Sequence, residues 1–490
     1  MLAMTLGIWA CLSSPASGAG EPFDLQGAIR AAGPGEVIHV PAGIYAGTIL
    51  IDRPLSLIAE AGAVIDGGGE GDVVDVTAPD VTIRGFVIRN TGASLDLENA
   101  GISVVASRVT IEGNTLRDVL FGIYLKGSNG SVIRGNVIGG KDLDVPRRGD
   151  GIRMWECRDG VVEDNTITSS RDTVMWFSDG TQIRRNHISY GRYGLHFMYS
   201  DSNVLEDNVL ENNSVGAFLM YSQNLTLRRN TFARNRGPSG FGIGLKDMDG
   251  LIAENNLFVG NRVGLQIDNS PSRVDVQHVY RGNVFAYNDV GVAFTPSVER
   301  NNFTGNTFLD NLEQVGLLGG GDFKGNDFTY EGRGNYWSDY RGFDLDGDGV
   351  GDVPYHAQSL FENLMDREPR LRLFLFSPAQ QAVEMAARAM PIVRPKPKVT
   401  DDAPLMSPIA ASVTPREPAS TAGLWSASLI LLGGGASIVT GGVTRGSWRR
   451  RRVANRVRGG VRAKSRTSRD RKGAVPIGRP TGGDRAGGRR

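Results

Sequence analysis

Two short phrases, GLHFMYS (194–200) and GAFLMYS (216–222), place two methionines at equivalent positions, and the first phrase also contains a histidine. Alternate residues of a strand point to opposite faces, so His196 and Met198 share a face, and Met220 takes the same place in the second phrase. Imidazole and thioether groups suit Cu(I), and thioether surfaces also suit adaptable contacts with a protein partner. These three residues are therefore candidate copper ligands.

These residues can face either outward or into the core, and three interpretations are therefore open. If Leu195 and Phe197 point into the core, His196 and Met198 point outward, and a shift of one residue would reverse this. The outward register predicts a surface that docks a partner or binds copper, whereas the inward register predicts ordinary core packing. The equivalent positions in neighbouring phrases hold Arg153, Trp155, Val174, Trp176 and Phe218. We therefore predict partner docking at Trp155, Trp176 and Phe218.

An acidic loop has the ligand spacing of a calcium site. DLDGDGVGD (344–352) places carboxylates on alternate residues, and Gly349 suits a sharp turn. An EF-hand loop would have a bidentate Glu at its twelfth position, where this chain has Tyr355. We expect calcium at the loop, and the alternative is an Asp/Gly turn that closes the final coil. The candidate ligands are Asp344, Asp346, Asp348 and Asp352.

An internal repeat sets the elements that position these residues. Asn recurs before a short apolar triplet, often at a step of 22 residues, and alternating phrases that begin with Gly lie between. Phrases this short indicate strands, and a period of about 20–25 residues indicates a solenoid. We predict an all-β fold, a right-handed parallel β-helix with Asn stacked at its turns. The recurrent residues are Asn114, Asn136, Asn165, Asn186, Asn208, Asn230, Asn256, Asn283, Asn306 and Asn326.

The N-terminal part of the chain predicts export. Residues 1–19 contain an apolar stretch followed by Ser17 and Ala19, the small residues of a signal-peptidase site. Residues 20–90 begin with an amphipathic segment, which we expect to cap the first coils of the β-helix. The repeats then occupy residues 91–360. We therefore expect a mature periplasmic protein.

Charge is divided unevenly along the chain. The net charge is +1, but residues 445–490 hold 17 Lys and Arg against two acids, which is +15 and leaves −14 for the rest. Because blocks of like charge do not fold, we predict a disordered tail at 444–490. Two cysteines, Cys11 and Cys157, cannot form a disulfide framework. We expect no nucleic-acid partner.

Two C-terminal stretches carry a resemblance to a known family. GNYWSDYRGFDLDGDGVGDVPY (334–355) and FLFSPAQQAVEMAARAMPIVRPKPK (374–398), with repeat phrases such as YGLHFMYS (193–200), resemble the NosD family of periplasmic β-helix maturation factors. The resemblance covers about residues 22–406. It implies a non-catalytic accessory protein that acts with the permease and ATPase subunits of an ABC transporter and with a copper chaperone. Its client would be nitrous oxide reductase, which needs copper, sulfur or both for its copper-sulfide cluster.

Residues 361–410 are predicted to contain a helix and a Pro-rich docking segment. Ser377 caps the helix, and Met385 and Met390 give it apolar surface. Such a helix could cap the last coil or dock with a membrane partner, and the resemblance favours docking.

A linker at 411–421 leads to a candidate membrane span. Residues 422–443 contain no charge, are long enough to cross a bilayer core and precede Arg445. We expect a C-terminal transmembrane helix that anchors the β-helix at the inner membrane. The alternative is a Gly-rich periplasmic tail that touches anionic lipid only through its charge.

A second class of function is a carbohydrate-active β-helix. Such an enzyme needs clustered carboxylates, often beside Lys or Arg, on neighbouring coils of an exposed face. Asp172 and Asp201 are isolated in the sequence, and we expect them to be solvated turn residues. We therefore expect that the protein is not an enzyme.

Overall fold

The computed structural model describes residues 23–318, 324–357, 361, 364–365, 368–374, 377–389 and 397–409. The predicted signal peptide, linker, membrane span and basic tail lie outside these residues, as does Met390. Within them, no helix combines the length and apolar character that a bilayer crossing requires.

Three parallel sheets wind around one core, and each sheet takes one strand from each coil. Sheet 1 has twelve strands: Glu36–Val40, Leu55–Ala59, Thr82–Arg84, Thr110–Glu112, Val132–Arg134, Val161–Glu163, Gln182–Arg184, Val204–Glu206, Thr226–Arg228, Ile252–Glu254, His278–Arg281 and Asn301–Thr304. Sheet 2 has thirteen: Gly43–Ala46, Ala63–Asp66, Val87–Arg89, Thr115–Val119, Val137–Gly140, Thr166–Thr168, His187–Ser189, Val209–Glu211, Thr231–Ala233, Leu257–Val259, Val284–Ala286, Thr307–Leu309 and Tyr336–Trp337. Sheet 3 has twelve: Ile49–Ile51, Val74–Val76, Ala100–Val104, Phe121–Lys126, Ile152–Trp155, Asp172–Trp176, Tyr193–Met198, Val215–Met220, Phe241–Lys246, Val263–Asp268, Val290–Phe294 and Glu313–Leu317.

The remaining elements lie at the ends and in the longer turns. Helix α1 (Leu25–Ala31) precedes the first strand, and helix α2 (Pro378–Ala389) follows the last coil. Short 3-10 helices cover Val145–Arg147, Tyr330–Gly332 and Pro369–Phe374. An antiparallel pair joins Tyr355–Ala357 to Val399–Asp401.

Alternation along each short strand builds the core. Inward residues from the three sheets stack on their equivalents in the next coil, and six rings stack at centroid distances of 4.3–5.1 Å. Gly194 opens its phrase because a Cβ there would collide with the carbonyl oxygen of Gly216 in the next coil. The six rings belong to Phe232, Phe258, Phe285, Phe308, Trp337 and Tyr355.

The predicted Asn stack forms a continuous ladder between sheets 1 and 2. Nδ2 of each Asn donates to Oδ1 of the next at 2.8–3.1 Å, from Asn114 to Asn335. One predicted member was wrong: Asn326 accepts from Asn301 in another turn, and Asn335 takes the ladder position. The prediction placed Asn326 in the ladder from the regular spacing of the turns, which the last coil does not keep.

Each end of the β-helix is covered by a different element. Leu25 and Ile29 of α1 are buried in the same apolar cluster as the first coils. At the other end Asp401 accepts from the backbone N–H of Asn335 at 2.7 Å and from Nε1 of Trp337 at 2.8 Å. A carboxylate therefore terminates the Asn ladder, and residues 397–409 close the last coil.

Candidate functional site

The candidate copper ligands and the candidate docking residues of the repeats lie on the outer face of sheet 3. Leu195 and Phe197 are fully buried in the core, so the residues between and after them face outward. Strand pairing aligns the outward residues of four successive coils. All four are partly buried. We call this set the outer row: Trp155, Trp176, Met198 and Met220.

A second line of outward residues runs beside the outer row. Strand pairing aligns Arg153, Val174, His196 and Phe218. Arg153 and His196 are each 6% exposed, and Val174 is fully buried. The expected open face is therefore wrong in part, because neighbouring aromatic and charged side chains cover this second line.

His196 is held by a carboxylate and by aromatic rings. Its Nδ1 lies 3.3 Å from Oδ2 of Asp172. The rings of Trp176 and Tyr193 contact the imidazole edge-on, at centroid distances of 5.4 and 5.0 Å. The imidazole is thus fixed in place.

Asp172 is not the solvated turn residue that the sequence predicted. It is 2% exposed and accepts hydrogen bonds from Nε of Arg192 at 3.0 Å and from the backbone N–H of Tyr193 at 3.2 Å. Burial acts to raise the pKa of Asp172, but hydrogen bonds from His196 and Arg192 outweigh it and lower that pKa. The carboxylate is therefore ionised in a nearly dry setting.

A second buried carboxylate lies one coil before Asp172. Asp150 is fully buried, with Oδ2 2.9 Å from Nε of Arg153 and Oδ1 3.4 Å from Nε of Arg171. Burial raises the pKa of Asp150 to about 6, although both guanidinium groups act to lower it. Arg153 also pairs with Glu98, whose loop it holds against sheet 3. The structure thus clusters carboxylates and arginines that are far apart in sequence.

Three aromatic residues that the sequence analysis did not single out extend the outer row. Phe177, Tyr199 and Tyr221 stack with centroid distances of 5.3 and 5.1 Å. All three have positive φ, between 51° and 53°. An L-residue in that conformation costs roughly 1–2 kcal/mol, and ring stacking between successive coils offsets part of this cost. Their signal was an aromatic residue directly after Trp176, Met198 and Met220, in WFS and MYS, whereas Trp155 is followed by Glu156.

The acidic loop brings three of its four predicted ligands together. Carboxylate oxygens of Asp344, Asp346 and Asp348 lie within 4.8 Å of one another. Asp352 is used differently, because its Oδ2 accepts from the backbone N–H of Leu345 at 2.7 Å. Backbone hydrogen bonds from Gly349 and Gly347 lower the pKa of Asp344. The loop is therefore preformed by its own backbone contacts, with three carboxylates facing a common point.

Helix α2 presents Met385, which is 70% exposed. Residues 397–409 close the final coil, and Nζ of Lys398 lies 2.7 Å from Oε1 of buried Glu313. The exposed face of α2 is therefore compatible with the predicted docking role.

Comparison with known proteins identifies related chains. A family model described as "Periplasmic copper-binding protein (NosD)" matches residues 138–342, and one described as "Right handed beta helix region" matches residues 61–181. The second match confirms the predicted right-handed β-helix.

Two curated relatives carry the name "Probable ABC transporter binding protein NosD". The protein from Pseudomonas aeruginosa is 34% identical over 400 residues, which is 79% of this chain and 92% of the relative. The protein from Stutzerimonas stutzeri is 30% identical over 399 residues, which is 75% of this chain and 86% of the relative.

Solved structures share the architecture at low identity. The A-module of a mannuronan C-5 epimerase from Azotobacter vinelandii is 14% identical, with a TM-score of 0.46, over 64% of this chain and 93% of that one. The surface adhesin PfbA of Streptococcus pneumoniae is 12% identical, with a TM-score of 0.45, over 60% of this chain and 93% of that one. At these values the likeness carries no functional information.

Proposed function

Because the chain belongs to the NosD family, we propose that it is a periplasmic accessory protein for the maturation of nitrous oxide reductase. It would act with an ABC transporter and a copper chaperone while the copper-sulfide cluster of the reductase is assembled. The observation that carries this proposal is 34% identity over 92% of a relative named as an ABC transporter binding protein.

The outer face of sheet 3 is the surface that we assign to this work. The outer row exposes aromatic and thioether groups where solvated polar residues are ordinarily found, and Phe218 lies beside it. Aromatic and Met side chains are enriched at the centres of protein interfaces. Trp155, Trp176 and Phe218 would contact a partner, and Met385 of α2 would add a second contact.

Copper is the cargo that the donor atoms of this face suit. Met198 and Met220 are paired neighbours in sheet 3, and His196 lies on the same face as Met198. Thioethers and a neutral imidazole prefer a soft monovalent ion. The family description names copper binding, which agrees with this donor set. We propose transient Cu(I) binding by these three residues.

Calcium is a separate proposal for the acidic loop. Asp344, Asp346 and Asp348 supply oxygen ligands of the type that Ca²⁺ prefers, on a loop close to the last coil. Isothermal titration with CaCl₂ should give a binding isotherm that D346N weakens at least tenfold. An unchanged isotherm for D346N would exclude this site.

Membrane attachment is proposed for the region outside the described residues. The signal peptide at 1–19 and the span at 422–443 would place the β-helix in the periplasm beside the transporter. Carbonate washing of membranes should retain the mature chain and release a variant that ends at residue 410. Release of both chains would contradict the span.

One observation favours a different function. Asp150 and Asp172 lie on neighbouring coils beside Arg171 and Arg192, the composition that a polysaccharide lyase or hydrolase would need. Their burial opposes this function, since both carboxylates are at most 2% exposed. Turnover of a uronate polymer by the purified protein, abolished in D172N, would establish the enzyme instead.

Deletion of the gene tests the main proposal. The deletion strain should export nitrous oxide reductase that lacks the catalytic copper-sulfide cluster, as seen by spectroscopy, and the wild-type gene should restore it. A complete, active reductase in the deletion strain would reject the proposed function.

A further inference from the structure

The carboxylate of Asp172, which lies next to His196, extends the proposed copper site. Asp172 pairs with Tyr193 and Val174 pairs with His196, so one extra residue is accommodated on the later strand between these pairs. Such irregularities re-aim side chains and are frequent beside functional sites. Here the irregularity accompanies the approach of the Asp172 carboxylate to Nδ1 of His196.

The carboxylate is fixed independently of the imidazole. Arg192 donates to both carboxylate oxygens of Asp172, and the backbone N–H of Tyr193 donates to Oδ1. Oδ2 therefore has a defined position when it meets Nδ1. An ionised carboxylate only accepts hydrogen bonds, so the contact requires Nδ1 to carry the proton.

The opposite imidazole nitrogen is left available by this arrangement. With the proton on Nδ1, the lone pair of a neutral imidazole lies on Nε2. Within the described part of the chain, Nε2 of His196 makes no hydrogen bond, and Met198 lies two residues further along the same face. The donor set is one imidazole nitrogen and two thioethers, which fits a soft monovalent metal ion.

We propose that Asp172 is a positioning residue that holds His196 in its Nδ1–H tautomer and turns Nε2 toward Cu(I) bound with Met198 and Met220. Metal-bound histidines commonly donate their second nitrogen to a carboxylate, and losing that partner costs about 10–100-fold in metal affinity. The inference rests on the copper role proposed above.

His187 provides a matched control within the same fold. Its Nε2 lies 3.0 Å from Oε1 of Glu211, so it is also a histidine paired with a carboxylate on a neighbouring coil. It lies in sheet 2, away from the outer row. A general effect of removing a histidine–carboxylate pair would appear at His187 as well, whereas an effect on copper would not.

The experiment uses the full mature chain and has two readouts. Competition with bicinchoninate under anaerobic conditions measures Cu(I) affinity, which should fall 10–100-fold in D172N, at least 100-fold in H196Q and less than twofold in H187Q. D172E should recover part of the loss.

The second readout needs no copper. Labelling the five histidines with ¹⁵N reports the tautomer of each ring, with His196 assigned by its loss in H196Q. The wild-type ring should be the Nδ1–H form, and D172N should shift it toward the Nε2–H form. The wild-type spectrum remains decisive if D172N fails to fold.

Three outcomes would overturn the inference: an Nε2–H tautomer in the wild type, equal Cu(I) affinity of D172N and wild type, or equal affinity of H196Q and wild type. These outcomes differ from the one that would reject the proposed function. That outcome is a complete reductase in the deletion strain, whatever the Cu(I) affinity of the protein. A deletion phenotype with normal H196Q binding would retain the accessory role and reject only this site.

Discussion

Two rows of side chains run along the β-helix, and they differ in how much they vary. The inner ladder repeats Asn from Asn114 to Asn335, and each member donates to the next coil. The outer positions of sheet 3 change from Lys126 through the outer row to Lys246. Each Asn between these two contacts an Asn on either side, so the same hydrogen bonds require the same residue type in every coil. Within the described coils, the outer positions make no such repeated hydrogen bonds, so their residue types reflect the partner that we propose for this face.

The turn after the outer row reinforces this contrast. Its left-handed position is occupied by Gly127 early in sheet 3 and by Asn269 late in it, which are residues that adopt this conformation readily. Between them it holds Glu156, then Phe177, Tyr199 and Tyr221, and then Asp247. The aromatic residues follow three of the four outer-row positions, Trp176, Met198 and Met220, so the side chains of the turn change together with those of the outer row while the backbone conformation stays the same.

Breaking the inner ladder should have the largest effect on stability. Asn208 is fully buried, donates to the carbonyl of Ile183 at 2.8 Å and to Asn230 at 2.9 Å, and accepts from Asn186. Asn208→Ala leaves several buried groups without partners, and we expect a loss of about 3–5 kcal/mol in unfolding free energy. Urea unfolding measures it. Gln223→Ala, at a partly exposed turn, should cost less than about 0.5 kcal/mol; equal losses would show that the ladder contributes no more than this turn.

A buried inner histidine should make stability fall in acid. Burial lowers the pKa of His278 from 6.5 to about 4, although a hydrogen bond to the carbonyl of Met248 acts to raise it. Between these values the unfolded chain binds a proton that the folded chain does not, so lowering the pH from 6.5 to 4 removes about 3 kcal/mol. Asp249 and Arg300 lie near enough to modulate the value. H278Q should flatten this part of the stability profile, and an unchanged slope in H278Q would contradict the assignment.

Titration of Asp150, which precedes a strand of sheet 3, should change the stability with pH in the opposite direction. Burial raises the pKa of Asp150 from 3.8 to about 6, so the folded chain holds a proton that the unfolded chain has released. Stability from this group is therefore greatest below pH 3.8 and falls by about 2–3 kcal/mol as the pH rises to 6. Arg153, Arg171, Asp172 and His196 are the charged or titratable groups that influence it.

The test compares wild type with D150N between pH 4 and pH 7 by urea unfolding. The difference in stability between the two chains should move in favour of D150N as the pH rises. A constant difference would show that Asp150 titrates normally in the folded protein.

Regular features were predictable from the sequence because they depend on local repetition. The period of the Asn residues predicted the solenoid, whereas strand alternation left two registers open, of which the one that points Leu195 and Phe197 inward is correct. The resemblance to the NosD family is confirmed by the curated relatives.

The site was less predictable because its contacts depend on unequal coil lengths. Arg153 meets Glu98 across 55 residues, and the position of Asp172 beside His196 depends on a register shift within sheet 3. Neither follows from spacing. Asp401 was placed in a docking segment, yet it terminates the Asn ladder through a strand that pairs with Tyr355–Ala357. Long-range pairing of this kind leaves no periodic signal.

Replacing the methionines of the outer row should have the smallest effect on folding. It therefore separates a structural role from a functional role most clearly. Met198 and Met220 are partly buried and lie outside the core, so replacing both by Ser should cost about 1 kcal/mol or less. Met175 is the matched control, because it is fully buried on the inward side of sheet 3, and Met175→Ser should cost about 2–5 kcal/mol. Thermal unfolding compares the two variants, and bicinchoninate competition measures Cu(I) binding. The double variant should keep its melting temperature within a few degrees of wild type while losing Cu(I) affinity. If it unfolds as readily as Met175→Ser, the outer methionines are structural, and the contrast between the inner and outer rows fails.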